Sequence, residues 1–432
     1  MHKISHTPSD IEIMAPAGSY ESLAAAIQAG ADSVYFGTGH LNMRSGSSQN
    51  FSTEDLKDIS TICHEKNVRT YLTLNTVIYD EELEDMKKTV DAAVENRISA
   101  IIASDMAVIQ YARKRGMEVH MSTQTNITNI EAVRYYAQFA DVMVMARELN
   151  VRQVKAITDA IREQNICGPS GNLVQVEMFI HGALCMAVSG KCYLSLDLLN
   201  SSANRGACLQ PCRRPYKVYD KRNELELEVD NEYIMSPKDL KTVDFLDKIL
   251  KAGVTVLKIE GRGRSPEYVK TVVATYRDAI KAYQEGAFTQ EKIFEWNKKL
   301  KSVYNRDFWD GYYLGKRLGE WTKKPGSQAT KKKVYVGKIT NYYSKIGVAE
   351  ITMQTHDISV GDELLIIGPT TGVHEQKAEE IRVDLQSVKS TQKGETCSVP
   401  VNDVVRRNDK VYKLVDTDPD FDPDPRYENS TD

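Results

Sequence analysis

Long apolar runs are missing from this chain of 432 residues. None approaches the roughly 18 residues that a membrane helix needs, so we expect no membrane span. The opening MHKISHTPSD lacks the charged and apolar regions of a secretory signal. Several motifs are absent too. There is no G-x-G-x-x-G, which argues against a dinucleotide-binding fold, and no H-E-x-x-H or G-x-S-x-G, which leaves two common hydrolase chemistries without their residues. A large net excess of either charge is also missing. A formal net charge of −4 argues against a protein that coats nucleic acid, while leaving room for a local basic site. Seven cysteines, an odd number without a signal segment, suggest a reducing cytoplasm rather than a disulfide framework.

What is present is a repeating rhythm. IEIMAPAG (11–18) is a short apolar run, followed by the helical SYESLAAAIQAGA with Ser19 as N-cap and Gly30 as stop. DSVYFG (32–37) then closes a βαβ-like unit. Strand candidates recur at 69–76, 99–105, 118–126, 141–149, 176–183 and 255–261, separated by stretches that are apolar at three- and four-residue intervals. Eight β-then-α units predict a (β/α)8 TIM-like barrel over 11–321, with an open doubly wound sheet as the alternative. A ninth candidate, 233–240, is interrupted by Pro237, and its neighbour KVYDKRNELELEV reads as a hairpin. Both are assigned to an insertion after strand seven, residues 184–254. Ser265 and Pro266 open the helix after strand eight.

Residues 287–322 read as a further helical pair outside the barrel. The segment 322–333, with Pro, Gly and five lysines, reads as a basic linker. Short strands with Gly and Asn/Asp turns follow, predicting a small C-terminal β-barrel over 334–416. Its phrase SVGDELLIIGP resembles the β-barrel second domain of translation factors. Residues 1–10 are expected to be flexible, and the Pro- and Asp-rich 417–432 to be a disordered acidic tail.

The chemistry concentrates between 177 and 212, where Cys185, Cys192, Cys208 and Cys212 stand in a Gly- and Ser-punctuated stretch. Converging thiolates bind soft metals or iron–sulfur centres. The spacing is not a ferredoxin run, and the paired C-x-x-C units of most zinc ribbons are missing, so spacing alone says metal or cluster. Isolated cysteines more often pack as small apolar residues, which is how Cys63, Cys167 and Cys397 read.

Glu177, Phe179, Gly182, Ala183, Leu184, Cys185, Gly190, Cys192, Leu194 and Ser195 together resemble the signature of peptidase family U32, the collagenase-like family. NRGACLQPCRRPY resembles that family's second cysteine segment. The resemblance implies a barrel carrying a four-cysteine iron–sulfur cluster, 4Fe–4S, with Cys185, Cys192, Cys208 and Cys212 as its ligands. It implies hydroxylation of RNA, at the wobble uridine of tRNA or at a ribosomal cytidine, with prephenate as hydroxyl donor. The chain length and appended β-barrel resemble the tRNA-acting subgroup, and relatives acting as pairs imply a second family member as partner.

In such a barrel the active site lies at the C-terminal strand ends. These carry Asn75, Ser104–Asp105, Thr123–Gln124, Arg147–Glu148, His181 and Lys258–Glu260–Arg262. His181 is a candidate base or outer partner of the cluster, or a packed histidine bonded to backbone. Glu260 is a candidate base, though pairing with Lys258 or Arg262 is the favoured reading. Arg147 and Arg262 could hold an anionic substrate. Arg205, Arg213 and Arg214 flank the last cysteines, where they would meet phosphates or offset thiolate charge. Lys331–Lys333 form either a basic contact or a solvated flexible run. Three functions therefore stand side by side: a tRNA uridine hydroxylase, a peptidase using a Cys185–His181 dyad, and a redox or assembly subunit of a hydroxylase complex.

Overall fold

The structure is a computed structural model that describes residues 11–46, 50–217, 233–316 and 318–417. The expected flexible start, acidic tail and most of the hairpin fall outside these residues. The strands, in chain order, are β1 (Glu12–Pro16), β2 (Ser33–Gly37), β3 (Arg69–Leu74), β4 (Ala100–Ala103), β5 (Glu118–Met121), β6 (Val142–Val144), β7 (Gln175–Gly182), β8 (Asp239–Lys241) and β9 (Val256–Ile259). Strands β1 to β7 pair in sequence order, each parallel to the next. Strand β9 closes the ring by pairing in parallel with both β1 and β7. The result is a closed eight-stranded parallel barrel. Met14, Tyr35, Tyr71, Ala100, Ile102, Val142 and Val256 fill its interior, so it is a packed core and not a pore.

Helices wrap the barrel: α1 (Tyr20–Gln28), α2 (Leu56–Glu65), α3 (Leu83–Glu95), α4 (Met106–Lys114), α5 (Ile130–Tyr136) and α6 (Val151–Glu163). After the short α7 (Leu194–Leu199) come α8 (Leu246–Lys251), α9 (Pro266–Gln284) and α10 (Gln290–Ser302). Ser19 caps α1 by accepting from the Ser22 amide at 3.2 Å, and Gly30, at φ +84°, takes the left-handed turn that ends it. In α9 the buried Tyr268, Val269, Val272, Val273, Tyr276, Ala279 and Ile280 recur at three- and four-residue intervals and face the sheet. Ser265 holds the N-cap position of α9, but its side chain makes no capping bond.

Three expectations are corrected. The end of the supposed insertion belongs to the barrel, because α8 buries Leu246, Ile249 and Leu250 in the main core. Within the rest of that stretch, β8 runs antiparallel to the end of β7. In place of a second outer helix, residues beyond α10 form β10 (Phe308–Trp309), which pairs in parallel with β8. The third correction is the linker. Lys331–Lys333 open a strand, β11 (Lys331–Tyr343), because their backbone pairs with the last strand of the domain. Glu363 and Glu267 neutralise Lys331 and Lys333.

The C-terminal domain continues with β12 (Val348–Met353), β13 (Glu363–Gly368), β14 (Gly372–Lys377), β15 (Ile381–Val383), β16 (Gln386–Val388), β17 (Thr396–Pro400) and β18 (Lys410–Asp416). These form one antiparallel sheet in the order β14-β13-β18-β11-β12-β17-β15-β16 around a single interior core. Among the described residues its end strands are not paired, so the domain is a partly open barrel. It docks on the main barrel through α1. Gln28 donates to the Thr371 carbonyl at 2.6 Å and accepts from the Val373 amide at 3.1 Å, and Ala25 packs with Leu365 and Ile367. No helix among the described residues is long and apolar enough to cross a membrane.

Candidate active site at the mouth of the barrel

The C-terminal strand ends open into a cavity of about 150 Å³ lined by Tyr35, Thr73, Asn75, Ser122, Thr123, Gln124, Arg147, Phe179, Lys258, Glu260 and Arg262. Cys185, Cys192, Cys208 and Cys212 line the same cavity from the loop above. Strand order alone placed the cysteine loop here, since it leaves the C-terminal end of β7. An adjoining cavity, also about 150 Å³, is lined by Arg44, Arg147, Arg213, Arg264 and Arg306 together with Cys185, Cys208, Cys212 and Glu260.

Cations dominate this space. Glu260 pairs with Arg44 at 2.7 Å and accepts from the Tyr35 hydroxyl at 3.3 Å. Burial alone would raise its pKa. Arg44, Arg147 and Arg262 outweigh that burial and hold the carboxyl at about 2, so it stays a carboxylate. The pairing reading of Glu260 therefore holds, with a different partner. Lys258 instead bonds Glu177 at 2.7 Å inside the barrel, where both are buried and the second Glu177 oxygen has no hydrogen-bond partner. Rings separate the cations, with Arg147 4.1 Å above Phe179 and Lys258 4.6 Å from the Tyr35 ring centre. Arg262 donates to Asn42 at 3.0 Å and Thr73 at 2.7 Å, and burial brings its pKa down to about 10. Gly37 makes room for it, because a Cβ there would stand 2.6 Å from the Arg262 guanidinium. Arg147 is the least engaged. Its Nε has no partner, and its Nη1 lies 3.5 Å from the Ala183 carbonyl.

The four cysteines line one cavity. Burial raises the pKa of Cys212, Arg213 lowers it, and Cys185, Cys208 and Cys192 raise it further, so the four sense each other's charge. Arg213 is a strut: it donates to the carbonyls of Leu184 and Pro237, each at 2.6 Å, and fixes the loop's two halves. Among the described residues no three His, Cys, Asp or Glu side chains already stand in metal-site geometry. The donor set, four soft sulfurs on one cavity beside arginines, nevertheless fits a thiolate-held cluster, with Cys185, Cys192, Cys208 and Cys212 as the residues that would hold it.

His181 is not in this constellation, which corrects its reading as a base. A bulge between Phe179 and His181 inserts one residue into β7. Inward-facing Glu177 and Phe179 would by alternation place His181 inside, but the extra residue turns it outward into a cage of Tyr268, Tyr276 and Phe308. Buried there, and near Lys241 and Arg264, it has its pKa pushed down to about 3. Next to it Gly182, at φ +105°, lets the backbone pass; a Cβ would stand 2.4 Å from the Glu260 carbonyl. Among the described residues no histidine lines either cavity, so Cys185 has no dyad partner there.

Other candidates separate cleanly. Arg205 pairs with Glu82 and stacks on Tyr79 at 4.0 Å, so it anchors the loop. Asp105 caps α4 by accepting from the Ala107 amide. Glu148 and Arg214 are exposed. Cys63 and Cys397 are buried in the two cores, and burial pushes both thiols up to about 12. Sequence reasoning missed Arg44 and Tyr35. The signal available for Arg44 was its Gly- and Ser-rich loop after β2, another strand end at the mouth.

Comparison with known proteins shows the family. The family model for peptidase family U32 matches residues 18–323. A protein named "Collagenase" from Porphyromonas gingivalis is 59% identical over 406 residues, covering 94% of this chain and 98% of that one. The "tRNA hydroxylation protein P1" of Bacillus subtilis is 32% identical over 373 residues, 83% of each chain. A 23S rRNA 5-hydroxycytidine synthase from Escherichia coli is 33% identical over 276 residues, 64% of this chain and 40% of that one. The matched span holds the barrel from α1 onward and all four mouth cysteines, and the chain belongs to peptidase family U32.

Proposed function

We propose that this chain hydroxylates RNA, at the wobble uridine of tRNA, using an iron–sulfur cluster held by Cys185, Cys192, Cys208 and Cys212. The carrying observation is the shared cavity. Four thiols and a surplus of cations, Arg44, Arg147, Lys258 and Arg262 against Glu260 and Glu177, surround one space. Bound there, a cluster would supply a redox centre whose thiolate charge the arginines offset.

The chain's own residues then have separable tasks. Arg147, with an unpartnered Nε, and Arg262 suit the carboxylates of a small donor such as prephenate. Lys258 adds charge from the floor and is held in place by Glu177. Glu260, kept ionised by the surrounding arginines, holds Arg44 in place and has no proton to donate near neutral pH. Acting on tRNA would place the work in the cytoplasm.

Identity to proteins named "Collagenase" favours a second reading, a peptidase. The cavity offers that reading a cysteine without a histidine. Two measurements separate them. Nucleosides of tRNA from a deletion strain should lack 5-hydroxyuridine derivatives, and protein purified without oxygen should carry iron and acid-labile sulfide that Cys185→Ser and Cys208→Ser both lose. Unchanged tRNA nucleosides, together with gelatin cleavage by pure protein that Cys185→Ser abolishes, would overturn the proposal in favour of the peptidase.

A further inference from the structure

A third cavity, about 380 Å³, adjoins the cysteine-lined one and shares Asn75, Gln124, Ser189, Gly190 and Cys192 with it. Its chemistry is of a different kind. Where the inner space gathers arginines, this one is walled by neutral amides and hydroxyls, with Tyr193 and Leu196 at its side. Its charged liners are Lys191 and Asp105, and Asp105 is already engaged by the amides of Ala107 and Ile78. Asn75 bonds Gln124 at 3.3 Å across one wall, and Ser202 bonds Asn204 at 2.5 Å on the other. Gly190, at φ +75°, lets the cysteine loop close over Gln124; a Cβ there would stand 2.9 Å from the Gln124 side chain.

Tyr193 is the telling residue. It lies one position after Cys192 and is 74% exposed, an aromatic face left in solvent at the entrance to a polar pocket. Val77 and Leu196 on the same walls are also exposed, at 41% and 37%. A large ring in water beside convergent amides suits a planar, uncharged group that both stacks and hydrogen-bonds along its edge. Carboxamides supply a donor and an acceptor side by side, as a pyrimidine edge requires. An anionic group would instead choose the arginine-lined space next door.

We infer that this outer cavity is the subsite for a single unstacked pyrimidine base of an RNA strand, with Tyr193 as its stacking platform and the amides of Gln124 and Asn204 along its edge. This rests on the RNA-modifying reading and deepens it, assigning the base to the neutral compartment and the small anion to the arginine compartment. Enzymes that act on a base take it out of its stack and read the exposed edge in such pockets. Stacking on one aromatic ring contributes enough that its removal costs roughly tenfold in affinity.

The test uses full-length protein purified without oxygen and a fluorescent anticodon stem–loop RNA carrying uridine, or an abasic site, at the first anticodon position. Uridine RNA should bind about tenfold more tightly than abasic RNA. Tyr193→Ala should bring uridine RNA to the abasic level, Tyr193→Phe should retain the preference, and Asn204→Ala should reduce it. Abasic RNA should bind all four proteins alike. If both RNAs bind wild type equally and Tyr193→Ala changes neither, the subsite is wrong while the RNA reading stands. If neither RNA binds and gelatin is cleaved instead, both are wrong.

Discussion

The two ends of the barrel carry similar residue types and use them differently. At the N-terminal end Glu12, Arg69, Glu118 and His120 form a closed network. Arg69 reaches Glu118 at 2.8 Å and Glu12 at 3.7 Å, Tyr71 donates to Glu12 at 2.8 Å, and His120 meets Glu118 at 3.0 Å. There each carboxylate has a cation and further hydrogen-bonding partners. At the mouth, Glu260 is claimed by Arg44 and Glu177 by Lys258, which leaves Arg147 and Arg262 facing the cavity with neutral partners. A balanced network stabilises the fold, whereas an imbalance held rigid in a cavity attracts a ligand of opposite sign.

The sharpest way to break this contrast is Lys258→Met. It strands a buried Glu177 carboxylate, and we expect a loss of about 3–5 kcal/mol in urea unfolding. Adding Glu177→Gln should recover much of that loss, and no recovery would mean that Lys258 acts through packing. Next in size is a paired comparison. Arg147→Ala should weaken binding of a dicarboxylate probe such as prephenate by about tenfold or more with the thermal midpoint nearly unchanged. Arg69→Ala at the opposite end should cost roughly 1–3 kcal/mol of stability and leave probe binding alone. Equal effects of the two on binding would erase the distinction between the ends.

The effect of His181 is read against pH. Its folded pKa, about 3, lies below the ordinary 6.5, so between those values the unfolded chain binds the extra proton. Its contribution is complete above about pH 6.5 and is lost as pH falls toward about 3. His181→Gln should flatten that part of the stability profile; an unchanged slope would show that other groups set it. The smallest effect belongs to the domain contact. Lys333→Ala removes a partly exposed pair with Glu267 and should cost within about 1 kcal/mol. A much larger loss would mean that this one pair holds the sheet on the barrel.

Much of the site was legible because topology carries it. Once β7 is a barrel strand, whatever follows it stands over the mouth, so the four cysteines needed no side-chain geometry to be placed. Lys258, Glu260 and Arg262 followed from the same argument applied to β9. Arg44 did not, because its loop is long and a sequence does not say which of its residues folds back on Glu260. Lys331–Lys333 were misread for a related reason. Three lysines in a row resemble a solvated linker until a strand partner and two glutamates are found for them.

The chain's own pattern determined the barrel, the position of the cysteine loop and the separate C-terminal domain, because hydrophobic periodicity and strand order are local and cumulative signals. Tertiary structure alone decided which charges neutralise one another and which stay open. It also decided that one extra residue in β7 turns His181 from the cavity into an aromatic cage. Register and long-range pairing are set by packing between segments up to a couple of hundred residues apart, and no local pattern encodes them.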